Sequence, residues 1–202
     1  MKTLGLIGGI SFHSTAVYYN TINQLVNERL GGNNAAKLIL YSVNYDDFKQ
    51  LQEKNDWKQI EVMLSDIAIN LVNAGADCIM LCCNTAHLVA GGLKQKIQVP
   101  FLHIADETAK EIVKQKFKKV GLLGTTFTME NPFFINILAV AGIETVVPDI
   151  IERNLIHSAI LDELSKGKLS AASKEMFQAV IGNLKAQGAE AIQRSRAVLG
   201  AR

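Results

Sequence analysis

The chain holds 202 residues, 49% of them hydrophobic and 20% charged, with a formal net charge of +2. That length suffices for one large or two small cores, while the near-neutral balance and scattered lysines and arginines argue against a nucleic-acid partner. No apolar run approaches the roughly 18 residues of a membrane span, and the glycine-broken start lacks a signal-like core, so a cytoplasmic protein without a membrane partner is expected. Residues 3–7 read as a strand and 15–30 as a helix; 37–43 with 57–74, and 77–82 with 85–97, repeat the pair. Pro100 and the run Phe101-Leu102-His103-Ile104 mark a crossing, which puts a first α/β lobe at 1–98 and a second at 99–202. The second half adds strands at 120–124 and 144–147 and helices at 131–141, 154–165 and 170–187. Such alternation predicts an α/β fold with parallel strands covered by helices.

An internal echo runs through this pattern. Asn73-Ala74-Gly75-Ala76-Asp77-Cys78-Ile79 closes a helix and opens a strand, and Ala186-Gln187-Gly188-Ala189-Glu190-Ala191-Ile192 does so again 113 residues later. By that offset position 83 maps onto Arg196. After Ile192 the sequence turns polar and basic, and the strand is expected to fail there.

The stretch richest in chemistry is Leu81-Cys82-Cys83-Asn84-Thr85-Ala86-His87. Cys83 falls at the carboxyl end of a strand, with Asn84 or Thr85 placed to cap the next helix. Unpaired N–H groups and partial positive charge at a helix start would favour a thiolate and draw the thiol pKa below roughly 8.5. A buried structural cysteine is the competing reading. Adjacent Cys82 and Cys83 point to opposite faces of a strand, so only one reaches a cleft. The three cysteines, Cys78 included, crowd one segment, which leaves no distant disulfide partner, and no grouping has zinc spacing. His87 reads as a hydrogen-bonded structural residue ahead of a proton shuttle. Gly8, Gly9 and Ser11 form a strand-to-helix turn that a ligand can approach closely, without the Gly-x-Gly-x-x-Gly order of a dinucleotide site. Thr125, Thr126 and Thr128 hold the matching turn in the second half, as ligand donors or as helix caps only.

Together, Gly5-Leu6-Ile7-Gly8-Gly9-Ile10-Ser11 with Ser14-Thr15, Cys83-Asn84-Thr85-Ala86-His87, Leu102-His103-Ile104-Ala105-Asp106 and Leu123-Gly124-Thr125-Thr126-Phe127-Thr128-Met129 resemble the aspartate/glutamate racemase family, in its aspartate-racemase-like branch. The resemblance implies two pseudo-symmetric parallel-sheet α/β lobes with the active-site cleft between them. It implies a cofactor-independent racemase that moves a proton at Cα of a small acidic amino acid, with Cys83 as one catalytic thiol. Gly9, Ser11, Asn84, Thr85, Ala86, Thr125, Thr126 and Thr128 would then line the substrate, with Gln52 beside it and Lys168 at its distal carboxylate. The family's second thiol lies in a Gly-Cys-Thr-Glu segment where this chain carries Ser195 and Arg196, and the family closes its first lobe with a strand and helix that this sequence lacks. The expectation is therefore an impaired racemase whose uncovered apolar edge favours a homodimer. A catalytically silent binder of a small acidic amino acid or dicarboxylate, and a single-Cys lyase or decarboxylase relative, are the alternatives.

Overall fold

Strands β1 (Leu4–Gly8), β2 (Leu38–Ser42), β3 (Cys78–Leu81) and β4 (Phe101–Leu102) form a parallel sheet in the order β2-β1-β3-β4. They belong to a computed structural model that describes residues 1–194. Helices α1 (Phe12–Leu30), α2 (Tyr45–Glu53), α3 (Trp57–Asn73) and α4 (Ala90–Lys96) connect them, the last entered through a 3-10 turn, Thr85–Val89. Side chains alternate across the sheet as period two requires. Leu6 and Cys82 meet Tyr18 of α1 on one face, whereas Ile7, Ile79 and Leu81 join Phe48, Ile60, Leu64 and Leu71 on the other. Each fully buried leucine or isoleucine there contributes on the order of 2 kcal/mol. Because β4 pairs with β3, Phe101 and Leu102 stay with the first sheet, and the first compact unit runs through His103, a few residues past the expected border at 98.

The second unit begins with α5 (Ile104–Lys114), a helix absent from the sequence reading, where Ala105, Ala109 and Ile112 bury one face. It continues with β5 (Lys119–Leu123), α6 (Thr126–Glu130), α7 (Pro132–Val140), β6 (Glu144–Val146), α8 (Ile150–Asp162), a 3-10 turn at Leu164–Lys166, α9 (Ala171–Ala186) and β7 (Ala191–Arg194). Its sheet is parallel, in the order β6-β5-β7. Val120 and Leu122 pack on Phe134 and Leu138, and Leu123 packs toward Ile156, Phe177 and Leu184. The strand expected to fail after Ile192 instead carries Gln193 and Arg194, paired with Leu122 and Leu123. Main-chain pairing to β5 sets the strand there, and it tolerates polar side chains at a strand end.

The sequence echo has a structural counterpart. Asp77 Oδ2 accepts the Thr3 N–H at 2.6 Å just ahead of β1, and Glu190 Oε2 accepts the Lys118 and Lys119 N–H groups at 2.5 and 3.1 Å ahead of β5. Gly5 is paired with Ile79, and Gly121 with Ile192. A Cβ on either glycine would stand 2.7 Å from the facing isoleucine Cδ1, so each central strand uses glycine to admit its neighbour's side chain. Ser195 and Arg196 lie outside the described residues. Among those described, no helix is long and apolar enough to cross a membrane.

Candidate active site

Past the end of β3, Cys82 N–H still donates to Ile7 O at 2.9 Å, which carries the strand's alternation onward. Cys82 is buried beside Leu6 and Tyr18, while Cys83 is partly exposed and packs against the opposite core. All three thiols are free. The following residues depart from the expected single helix over 85–97. They form a 3-10 turn and then the short α4, and Asn84 has helical angles (φ −60°, ψ −49°) with no side-chain cap bond. Inside the turn His87 N–H bonds Asn84 O at 3.0 Å, and Cys83 O instead meets His87 Nδ1 at 2.8 Å.

Burial pushes the Cys83 thiol above its ordinary value, the reverse of the lowering expected from a helix start. The N–H groups of Ala86 and Thr85 and the Thr85 hydroxyl donate to the sulfur and offset that only in part. The donors are present, but the low-dielectric surroundings outweigh them. Asn84 is 7% exposed and its Nδ2 has no protein partner. His87 is 2% exposed, its ring set edge-on to His103 at 4.8 Å and to Phe101 at 5.9 Å. Burial, reinforced by His103, lowers its pKa to about 3, so the ring is neutral at physiological pH. A carbonyl only accepts, so Nδ1 carries the proton and Nε2 the lone pair.

In the first sheet β1 lies between β2 and β3, so the turns leaving these three strands share one end, where open α/β sheets bind ligands. Gly9 sits there with φ +90°, and a Cβ on it would collide with Val43 backbone atoms. Its N–H is taken by Thr15 Oγ1 at 2.9 Å, and Ser11 caps α1 by accepting from Ser14 N–H. Gln52 lies half-buried in the last turn of α2. Tyr45, which opens α2, was missed from the sequence. Burial raises its phenol, Lys49 lowers it, and the neighbouring Cys83 charge raises it again, so hydroxyl and sulfur sense each other. The available signal was a tyrosine directly after the turn that leaves the second strand.

In the second unit Thr125 caps α6, accepting from Thr128 N–H at 3.4 Å, and Thr128 is buried against Gly124. Thr126 N–H and its hydroxyl both meet Nδ1 of His157 on α8 at 3.4 Å, another residue the sequence did not single out. Lys168 is exposed, its N–H held by Glu163 O at 2.9 Å. No group of His, Cys, Asp or Glu suited to a metal occurs among the described residues.

A family profile described as Asp/Glu/Hydantoin racemase matches residues 7–193. The chain belongs to that racemase family. Among solved structures, it is 44% identical to a Yersinia pestis protein provisionally designated an Asp/Glu racemase, covering 98% of this chain and 88% of that one with a TM-score of 0.91. It is 33% identical to PH1733, an aspartate racemase homologue from Pyrococcus horikoshii OT3, over 100% of this chain and 88% of that one, with a TM-score of 0.87. Among curated proteins it is 28% identical over 149 residues to the broad specificity amino-acid racemase RacX of Bacillus subtilis (strain 168), which covers 72% of this chain. The match spans 64% of the length of RacX. Racemase-family architecture accounts for the parallel α/β sheets, and the matched span includes both echoing strand ends and the Cys83 turn.

Proposed function

We propose that this racemase-family chain moves a proton at Cα of a small acidic amino acid, with Cys83 as the thiol acid/base and no cofactor. The observation that supports it is the Cys83 turn, where two backbone N–H groups and a hydroxyl converge on the sulfur of a partly exposed residue at the carboxyl end of the first sheet. As a thiolate, Cys83 takes the α-proton: the Cα–H bond breaks, S–H forms, and the electron pair spreads from Cα into the carboxylate. Donors aimed at that growing charge supply the stabilisation such a step needs. Asn84 Nδ2, a buried donor without a protein partner, gains from meeting a carboxylate oxygen. Gln52 is offered as a polar group beside the substrate.

Racemisation needs a second acid that delivers a proton to the opposite face of the carbanion. At the echo position the chain has Arg196, whose guanidinium keeps its protons near neutral pH. The reading is therefore one-face proton exchange that outruns inversion. A cytoplasmic homodimer belongs to the same proposal, supported by exposed Leu40 and Tyr41 on β2, an edge strand among the described residues, and by exposed Phe12 and Leu25 on α1.

The test is NMR of Cα–H exchange in D2O with each enantiomer of aspartate and glutamate, for the wild type, Cys83→Ser and Cys82→Ala. Exchange of one enantiomer without inversion, lost in Cys83→Ser and kept in Cys82→Ala, is the expected result. Inversion would reveal a working second acid, and saturable binding without exchange would favour the silent binder. Exchange that survives Cys83→Ser would overturn the role of this thiol.

A further inference from the structure

In an α-helix the N–H of residue 87 would bond the carbonyl of residue 83. Here it bonds Asn84 O at 3.0 Å instead, and the Cys83 carbonyl is capped by the His87 side chain, Nδ1 to O at 2.8 Å. The imidazole thus stands in for the backbone bond that the tighter 3-10 winding gives up. The Thr85 and Ala86 N–H groups of the same turn lie against the Cys83 sulfur.

We infer that His87 is a positioning residue for the Cys83 thiol: by capping the Cys83 carbonyl through Nδ1–H it holds the 3-10 turn and keeps two backbone donors on the sulfur. The inference deepens the proposed role of Cys83 but does not need turnover to be tested. Without the cap, Cys83 O recovers a partner most cheaply from His87 N–H, and the rewinding turn moves the Cys83 peptide and changes the distances from the Thr85 and Ala86 N–H groups to the sulfur. His87 suits the task because it cannot charge near neutral pH: it is 2% exposed, faces His103 and Phe101, and has Lys94 nearby with its ammonium 5.7 Å from the Phe101 ring centre. Around the sulfur itself the facing titratable group is Tyr45, with Lys49 and Glu53 beyond it on α2.

Two measurements test this. In the wild type, imidazole 15N NMR should show His87 as the neutral Nδ1–H tautomer from pH 8 to 5; the Nε2–H tautomer, or titration within that range, would overturn the inference. In variants, the pH profile of Cys83 alkylation by iodoacetamide, followed by mass spectrometry, should shift. Loss of a charge-assisted donor in His87→Leu should raise the midpoint by about one unit and slow alkylation at pH 8 about tenfold. His87→Asn sets an amide nitrogen one bond from Cγ, as Nδ1 is, and should restore the rate to within about threefold of wild type. An unchanged midpoint in His87→Leu, or His87→Asn behaving like His87→Leu, would leave the ring as packing only. If His87→Leu does not fold, the tautomer and His87→Asn results still decide.

Discussion

Lowering the pH from 7 to 5 should weaken the fold through His87 in particular. The ring's ordinary pKa of 6.5 falls to about 3 in the native state, chiefly through burial and next through the facing His103 ring; the Cys83 and Asn84 carbonyls pull upward, and Lys94 adds a small downward push. A native pKa below the unfolded one means stability that is complete above the unfolded value and lost as pH falls toward the native value. Between pH 7 and 5 the unfolded ring gains its proton while the native ring does not, a loss of about 2 kcal/mol that grows to about 3 kcal/mol at pH 4. Urea unfolding of wild type and His87→Phe at pH 7, 6 and 5 isolates this contribution, because surface carboxylates and the remaining histidines contribute to both curves. The wild type should lose about 2 kcal/mol more than the variant over that range. His103→Phe run alongside shows how much the facing ring contributes. Parallel curves for wild type and His87→Phe would refute the reasoning, whatever the variant's absolute stability.

Gly9→Ala should cost about 3 kcal/mol in thermal unfolding, because it combines a left-handed backbone angle with a collision against the Val43 main chain. Gly142→Ala, at φ +76° with open space around the new methyl, should cost only about 1 kcal/mol, and equal losses at the two sites would count against the collision. At alkaline pH the sign reverses relative to His87: the native Cys83 thiol is raised, so its contribution is complete below the ordinary thiol value and lost as pH rises through the native one. Unfolding curves from pH 7 to 10 should therefore fall more steeply for the wild type than for Cys83→Ser, and identical slopes would contradict the burial-driven shift.

The strands were legible because their apolar runs are short and bounded by turns, as at Leu4–Gly8 and Lys119–Leu123. The echo at Gly75 and Gly188 located matching strands in both sheets, and the alternation separated buried Cys82 from the partly exposed residue Cys83. Helix α2 escaped notice because it is nine residues long, mostly polar, and buries only Phe48. The 3-10 turn escaped for a different reason. Residues 85–97 carry helical spacing, and what keeps the first of them from winding as an α-helix is one side-chain bond, His87 to Cys83 O. The direction of the Cys83 shift was likewise out of reach, since local sequence shows the donors near a sulfur but not how much protein surrounds it. Thr125 caps α6 and Thr128 packs closely on Gly124, both local uses of a hydroxyl residue beside glycine.

The close approach of Val43 to Gly9 bears on how this end of the sheet changes over evolution. Where main chain touches main chain there is no rotamer to adjust, so the corner where β1 and β2 end keeps one shape in every conformer of its side chains. Sequence change at this corner then falls to side chains that can re-pack, while the Gly9 backbone stays as it is.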